Sequence, residues 1–145
     1  MTALQDLYAV YGASGCGRGV MPLLRQQLTH SGIASEQLVF VDDAPGPSHI
    51  NGQRLLTWTQ FLAAPAAQRH AVLAIANSAI REKLAQKISA AGVLPLTVQA
   101  ANVVQMDAVA LGEGAILSPF VTLTSNIRIG RHFHANLYSY VEHDC

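Results

Sequence analysis

Three groups of residues have types and spacings that chemistry can use. The first is Gly12-Ala13-Ser14-Gly15-Cys16-Gly17. Glycines at these intervals permit a tight turn, let backbone N–H groups approach a phosphate, and let a helix pack closely on a strand. A helix beginning here adds a favourable field for an anion. The spacing is G-x-x-G-x-G, not the G-x-G-x-x-G of dinucleotide binding. The second is Asp42, 25 residues after Gly17, a carboxylate that can accept from a ribose hydroxyl. The third is Val141-Glu142-His143-Asp144, an imidazole flanked by carboxylates. An acid that orients an imidazole and raises its basicity makes a general base. Spacing alone also admits plain structural roles: a tight strand-to-helix turn with a carboxylate-ended strand, and a surface or packed histidine.

His132 and His134 flank Phe133 in an H-x-H pattern, yet no third ligand stands nearby. They read as solvent-exposed or interface residues, and no metal is expected. Cys16 falls at a helix N-terminus, where the field favours a thiolate. No base lies beside it in sequence, so it reads as a small side chain tolerated in a tight loop. His30, His49 and His70 fall at a helix end, in a loop and at a strand start, and read as structural.

The elements that must position these residues follow two periods. Up to about residue 97, short apolar runs alternate with helical patterns. Leu7–Tyr11, Leu38–Val41 and His70–Ala76 read as strands. Gly19–Ser31 reads as a helix with Val20, Leu23, Leu24 and Leu28 on one face and Pro22 in its first turn. Ala44–His49 reads as a loop and Thr57–Ala64 as a short helix. Ser78–Ala91 reads as a helix capped by Ser78, with Ile80, Leu84, Ile88 and Ala91 on one face. Strands alternating with helices imply a parallel sheet with helical crossovers.

Beyond residue 97 the period becomes six. Counted from Leu111, the first positions are Leu111, Leu117, Leu123, Ile129, Ala135 and Val141; the second are Gly112, Ser118, Thr124, Gly130, Asn136 and Glu142. No helix has this period, and hexads are the pattern of a parallel β-helix. Each hexad forms one side of a prism: its first residue points inward, and its small second residue is expected to turn the corner. Val103 and Val109 hold the phase upstream and Gln105 breaks it, so the first coil is expected to be irregular. The expected organisation is an α/β domain over 1–97 and a β-helix over 98–145. The last hexad carries no capping element, and the chain reads as the front part of a longer protein.

Composition narrows the partners. Half of the 145 residues are hydrophobic and 12% are charged, far from a disordered composition. Nine Lys+Arg balance nine Asp+Glu with no basic run, which argues against nucleic acid. Zero net charge does little to oppose self-association. The stretch Leu7–Gly19 is too short to span a bilayer and is interrupted by glycines, so membrane insertion is not expected. Two widely separated cysteines and an N-terminus without signal-peptide features fit a reducing cytoplasm.

The segments LYAVYGASGCG, LVFVDD, LAIANSAIREKLAQKI and NLYSYVEHDC, in that order, resemble the bacterial sugar O- and N-acetyltransferases typified by sialic acid O-acetyltransferases and the UDP-amino-sugar N-acetyltransferases of bacillosamine synthesis. The resemblance runs the whole length. It implies a Rossmann-like domain for a nucleotide sugar followed by a left-handed parallel β-helix. It also implies a homotrimer with acetyl-CoA in the groove between adjacent β-helices. His143 then looks like the general base and Asp144 like the acid that orients it. Asn136 and Glu142 match neighbouring site positions. Gly12, Ala13, Ser14, Gly15, Cys16, Gly17, Asp42, Asp43 and Asn77 match contacts to the nucleotide sugar. Cys16 departs from the family, which usually has histidine there. The family continues for several more coils, which would supply much of the acetyl-CoA surface. The implied reaction is direct attack of a sugar amine or hydroxyl on the thioester, without a covalent enzyme intermediate. The alternative is a nucleotide-sugar-binding module that lacks the coils needed for turnover. A nicotinamide-dependent oxidoreductase fits neither the glycine spacing nor the hexads.

Overall fold

A computed structural model describes residues 3–145. The chain enters through β1 (Leu7–Tyr11), α1 (Gly15–Thr29), a single 3₁₀ turn and β2 (Leu38–Val41). It continues through β3 (His49–Ile50), β4 (Gln53–Leu56), α2 (Trp58–Ala63), β5 (Arg69–Leu73), α3 (Ser78–Ala90) and β6 (Leu94–Pro95). These strands form one sheet in the order β3-β4-β2-β1-β5-β6, parallel except for the β3–β4 hairpin. Helices cover both faces, so β1 and β2 run as near-continuous apolar segments instead of alternating. Ala9, Tyr11, Val39, Val41 and Leu73 meet Phe61 of α2 and Leu84 and Ile88 of α3 on one face. On the other, Val10, Phe40 and Val72 meet Val20, Met21, Leu24 and Leu28 of α1.

The helices differ from expectation at their starts. α1 begins at Gly15, one turn earlier than its apolar stripe indicates, so the second half of the glycine segment is helical. Pro22 therefore lies inside the helix, where it denies the Arg18 carbonyl an i→i−4 partner. In α3 the cap is Asn77, not Ser78: the Asn77 Oδ1 accepts from the Ile80 N–H at 3.0 Å. Ile80 is 49% exposed, leaving Leu84 and Ile88 as the buried residues of that helix.

Residues from Val98 onward form the first coils of a parallel β-helix. Its strands are β7 (Val98–Gln99), β8 (Val104–Gln105), β9 (Val109–Leu111), β10 (Ile116–Leu117), β11 (Thr122–Leu123), β12 (Ile127–Ile129), β13 (His134–Ala135) and β14 (Tyr140–Val141). They stack as β13-β10-β7, β14-β11-β8 and β12-β9. Partners lie 18 residues apart, as in Val98–Ile116–His134 and Val104–Thr122–Tyr140. Three hexads therefore make one coil of a three-sided prism. Leu117, Leu123, Ile129 and Ala135 are buried as first-position residues must be, together with Val121 and Ile127 from the fifth positions.

The corner falls elsewhere in the hexad than expected. Positive φ recurs every sixth residue, at Ala108, Gly114, Phe120, Asn126, His132, Tyr138 and Asp144. These are fourth positions, so the third and fourth residues turn the chain. The second position is small for another reason: it stacks on the coil above. A Cβ on Gly112 would lie 2.6 Å from the Gly130 carbonyl.

One side of the prism docks on α1. Val98 and Ile116 point outward from β7 and β10 into the α1 core, and each such burial contributes about 1.5–3 kcal/mol. The Gln27 amide closes the joint in both directions. Its Nε2 donates to the Thr97 carbonyl at 3.0 Å, and its Oε1 accepts from the Gln99 N–H at 2.9 Å.

Candidate active site

In the sheet order, β1 is followed by β2 on one side and β5 on the other, so the β1/β5 junction is a topological switch point. Ligands of open α/β sheets bind in the crevice at the carboxyl ends of such strands. The glycine segment lies there. Gly12 has φ +113°, and a Cβ on it would fall 2.7 Å from the Ala74 carbonyl oxygen. A Cβ on Gly17 would fall 1.7 Å from the Gly12 carbonyl oxygen. Both glycines are thus dictated by packing of the turn itself. Ser14 occupies the N-cap of α1 without a side-chain cap bond, so the first turn keeps unsatisfied N–H groups aimed at the crevice.

Asp42 fastens this turn. Its Oδ2 accepts from the Ala13 N–H at 2.8 Å and its Oδ1 from the Ala44 N–H at 2.9 Å, tying the glycine turn to the loop after β2. The carboxylate thus holds backbone, and a ribose would share its remaining lone pairs. Asp43 accepts from the Tyr11 hydroxyl at 2.8 Å, and Lys87 Nζ donates to the same hydroxyl at 2.8 Å. Lys87 also lies 4.9 Å from the Trp58 ring centroid. Burial, then the Asp43 hydrogen bond and the charges of Asp43 and Asp42, push the Tyr11 phenol far above its ordinary value. Asn77 stands at the crevice as the α3 cap. Cys16 is half-buried in the first turn of α1; burial pushes its thiol up, and Arg81 only partly offsets this. The expected thiolate-favouring field is therefore outweighed by desolvation.

His143 and Asp144 form a β-helix corner. The Asp144 carboxylate accepts from His143 Nδ1 at 2.8 Å. A carboxylate accepts here, so Nδ1 carries a proton and, in the neutral ring, Nε2 is the acceptor. Glu142 Oε1 accepts from the His143 backbone N–H at 3.1 Å and lies 3.7 Å from Nε2. The ring is 67% exposed, so a substrate can reach it. Asn136 is exposed just after β13, the same hexad position as Glu142. Among the described residues, no hydrogen bond or ion pair joins the His143 corner to the glycine turn.

His134 and His132 separate in role. His134 points outward from β13, and its Nε2–H donates to the Leu73 carbonyl at 2.8 Å, clasping the β-helix to the end of β5. Burial, followed by the charge of Arg81, pushes its pKa down to about 4. His132 Nδ1 is buried without a hydrogen-bond partner, and burial lowers its pKa as well. No group of three or more metal-ligating side chains occurs among the described residues. Sequence reasoning did not single out Arg81 or the Lys87–Tyr11–Asp43 chain. Lys87 and Arg81 lie on the polar side of α3, where charge is ordinary, and only the folded sheet brings them to its carboxyl edge.

A Rossmann-like sheet joined to a hexapeptide-repeat β-helix, with a glycine turn in the first and an exposed His–Asp pair on the second, defines a class of hexapeptide-repeat proteins. The PglD N-terminal domain family matches residues 8–88, and the chain belongs to that family. It is 44% identical over 140 residues to GDP-perosamine N-acetyltransferase from Escherichia coli O157:H7, covering 97% of this chain and 63% of that relative's length. It superposes on WeeI from Acinetobacter baumannii AYE with a TM-score of 0.93 and 48% identity, covering 97% of this chain and 66% of that one. PerB from Caulobacter crescentus, solved in complex with CoA and GDP-perosamine, shares the fold at a TM-score of 0.79 and 21% identity, covering 99% of this chain and 67% of that one.

Proposed function

We propose that the protein takes part in transfer of an acetyl group from acetyl-CoA to the amine of a GDP-linked amino sugar used for surface glycan. The observation that carries this reading is the His143–Asp144 pair, exposed at a β-helix corner with Nδ1 turned to the carboxylate. The 44% identity to a GDP-perosamine N-acetyltransferase supports the sugar, the nucleoside and N- over O-acetylation. The glycine turn, Asp42, Asp43 and Asn77 face the nucleotide sugar, and Asn136 and Glu142 border the reacting groups. The amine nitrogen attacks the thioester carbonyl, the N–C bond forms as C–S breaks, and CoA leaves as the thiolate. His143 Nε2 takes the amine proton during attack, because an ammonium has no lone pair to attack with. Asp144 holds the imidazole in the Nδ1–H tautomer and fixes its orientation.

The assembly is a homotrimer in this reading. Val104, Phe120, Tyr138 and Tyr140 are 51–73% exposed, and Phe120 and Tyr138 stack at 4.8 Å on one corner. Such a contiguous apolar stripe suits a second copy of the chain. Two free cysteines support a reducing, cytoplasmic setting. Light scattering tests the assembly: a monomer in solution would remove this part of the reading.

The chemistry is tested in the whole protein by release of CoA thiol. His143→Ala is expected to lower kcat about 10²–10⁴-fold with little change in KM. Asp144→Asn is expected to lose less. Retention of more than about a tenth of wild-type kcat in His143→Ala would exclude a general base at this position.

A further inference from the structure

Arg81 lies in the first turns of α3, against the segment that leaves β5. Its Nη1 donates twice, to the Ile75 carbonyl at 2.8 Å and the Ala76 carbonyl at 3.1 Å. Both carbonyls belong to the segment leaving β5, against which Gly12 packs: a Cβ on Gly12 would lie 2.7 Å from Ala74 O and 2.8 Å from the Ile75 side chain. The two Nη1 protons are thus spent on fixing the guanidinium in place. Nε and Nη2 have no protein partner among the described residues, and these two nitrogens form the planar edge that matches two oxygens of a phosphate.

The charge is uncompensated as well. Among the described residues no carboxylate lies within ion-pair distance of Arg81. The titratable groups that feel its charge are Cys16 on α1 and His132 and His134 on the β-helix. All three are held neutral by burial, so none can balance it. Glu113, across the groove of about 740 Å³ that Arg81 lines, pairs with Arg131 at 3.9 Å. Glu82 also lines the groove but makes no ion pair with Arg81, and a fixed, half-buried guanidinium with a free bidentate edge and no carboxylate partner among the described residues calls for an anion. The charge of Arg81 also reaches Cys16 in the uncapped first turn of α1, whose N–H groups are a second set of donors suited to an anion.

We propose that Arg81 binds the diphosphate of the nucleotide sugar, its Nε–Nη2 edge taking phosphate oxygens while the N–H groups of the first turn of α1 supply further donors. The proposal rests on the nucleotide-sugar reading above and adds to it the residue that supplies the positive charge. The glycine turn offers backbone donors without a full charge, whereas Arg81 makes affinity depend on the ligand's phosphate groups and on salt.

Calorimetric binding of GDP and of guanosine tests this in the wild type, Arg81→Gln, Arg81→Lys and the exposed-site control Arg128→Ala. Gln keeps an N–H donor for the Ile75 carbonyl and removes the charge. It is expected to weaken GDP about 10- to 100-fold while guanosine changes by less than about twofold. Lys keeps the charge without the fork and is expected to fall between Gln and wild type. The control is expected to match wild type. Equal GDP affinity in wild type and Gln, or equal weakening of GDP and guanosine, overturns the proposal by making Arg81 a tether only. If Gln does not fold, Lys decides: a loss confined to GDP supports the fork, and wild-type affinity overturns it. A wild type that binds no nucleotide or nucleotide sugar removes the nucleotide-sugar reading itself, an outcome distinct from loss of the Arg81 role alone.

Discussion

Acidification is expected to loosen the joint between sheet and β-helix through His134. In the native state Nε2–H is committed to the Leu73 carbonyl, and protonation must place a charge on Nδ1 in a desolvated contact facing Arg81 and His132. The folded pKa of about 4 lies below the reference value of 6.5, so the unfolded chain binds more protons between these limits and stability rises with pH there. The contribution is complete above about pH 6.5 and is lost progressively as pH falls towards 4. At about 1.4 kcal/mol per unit the full shift corresponds to about 3 kcal/mol. Partial solvent access to the ring screens this to about 1–2 kcal/mol. The assay is urea unfolding followed by the single tryptophan, comparing wild type with His134→Gln, which keeps an N–H donor and cannot titrate. Between about pH 7.5 and about pH 4.5 the wild type should lose about 1–2 kcal/mol more than the variant. Parallel pH profiles would refute the argument, since every other titrating group is common to both proteins. At neutral pH, His134→Leu should cost about 1–3 kcal/mol, because the buried Leu73 carbonyl loses its donor.

Gly17→Ala should prevent stable folding or cost about 3 kcal/mol or more, because its Cβ would sit 1.7 Å from backbone that cannot yield. A soluble Gly17→Ala protein with unchanged Tm would contradict this packing. Ala108→Gly should stabilise by about 0.5–1 kcal/mol, since Ala108 has φ +55° and glycine relieves a left-handed strain of about 1–2 kcal/mol at some entropic cost. Chemical denaturation measures it, and a lower midpoint would show that the alanine methyl packs usefully.

The β-helix was legible because its inward positions demand large aliphatics every sixth residue, a period no other element shares. The corner was misplaced because small second-position residues have two causes that sequence cannot separate: a turn, or close stacking of Gly112 on Gly130. Gln105 broke the pattern for a physical reason, since its strand is paired to β11 yet lies exposed. The β3–β4 hairpin escaped notice because its one buried polar residue looks like loop. Gln53 is 5% exposed, and its amide donates to the Ser35 and Leu38 carbonyls. In the site, the glycine turn and the His–Asp pair could be read from local spacing. The engagement of Asp42 with Ala13 and Ala44 depends on strand order, and Arg81 needed three separate elements to reveal its isolation.

The left-handed backbone step at every sixth residue makes the β-helical part a screw thread with a fixed pitch. Each corner sits directly above another 18 residues earlier, as Asp144 does above Asn126 and Ala108. One inserted residue in a flat side would move every later aliphatic from the interior to solvent. The insertions this thread can absorb are therefore quantised: a whole turn keeps the register, and a shorter insertion must bulge out at a corner without passing its displacement along. Such a bulge at the corner of His143 would reshape the surroundings of the imidazole while the thread below it stayed in step.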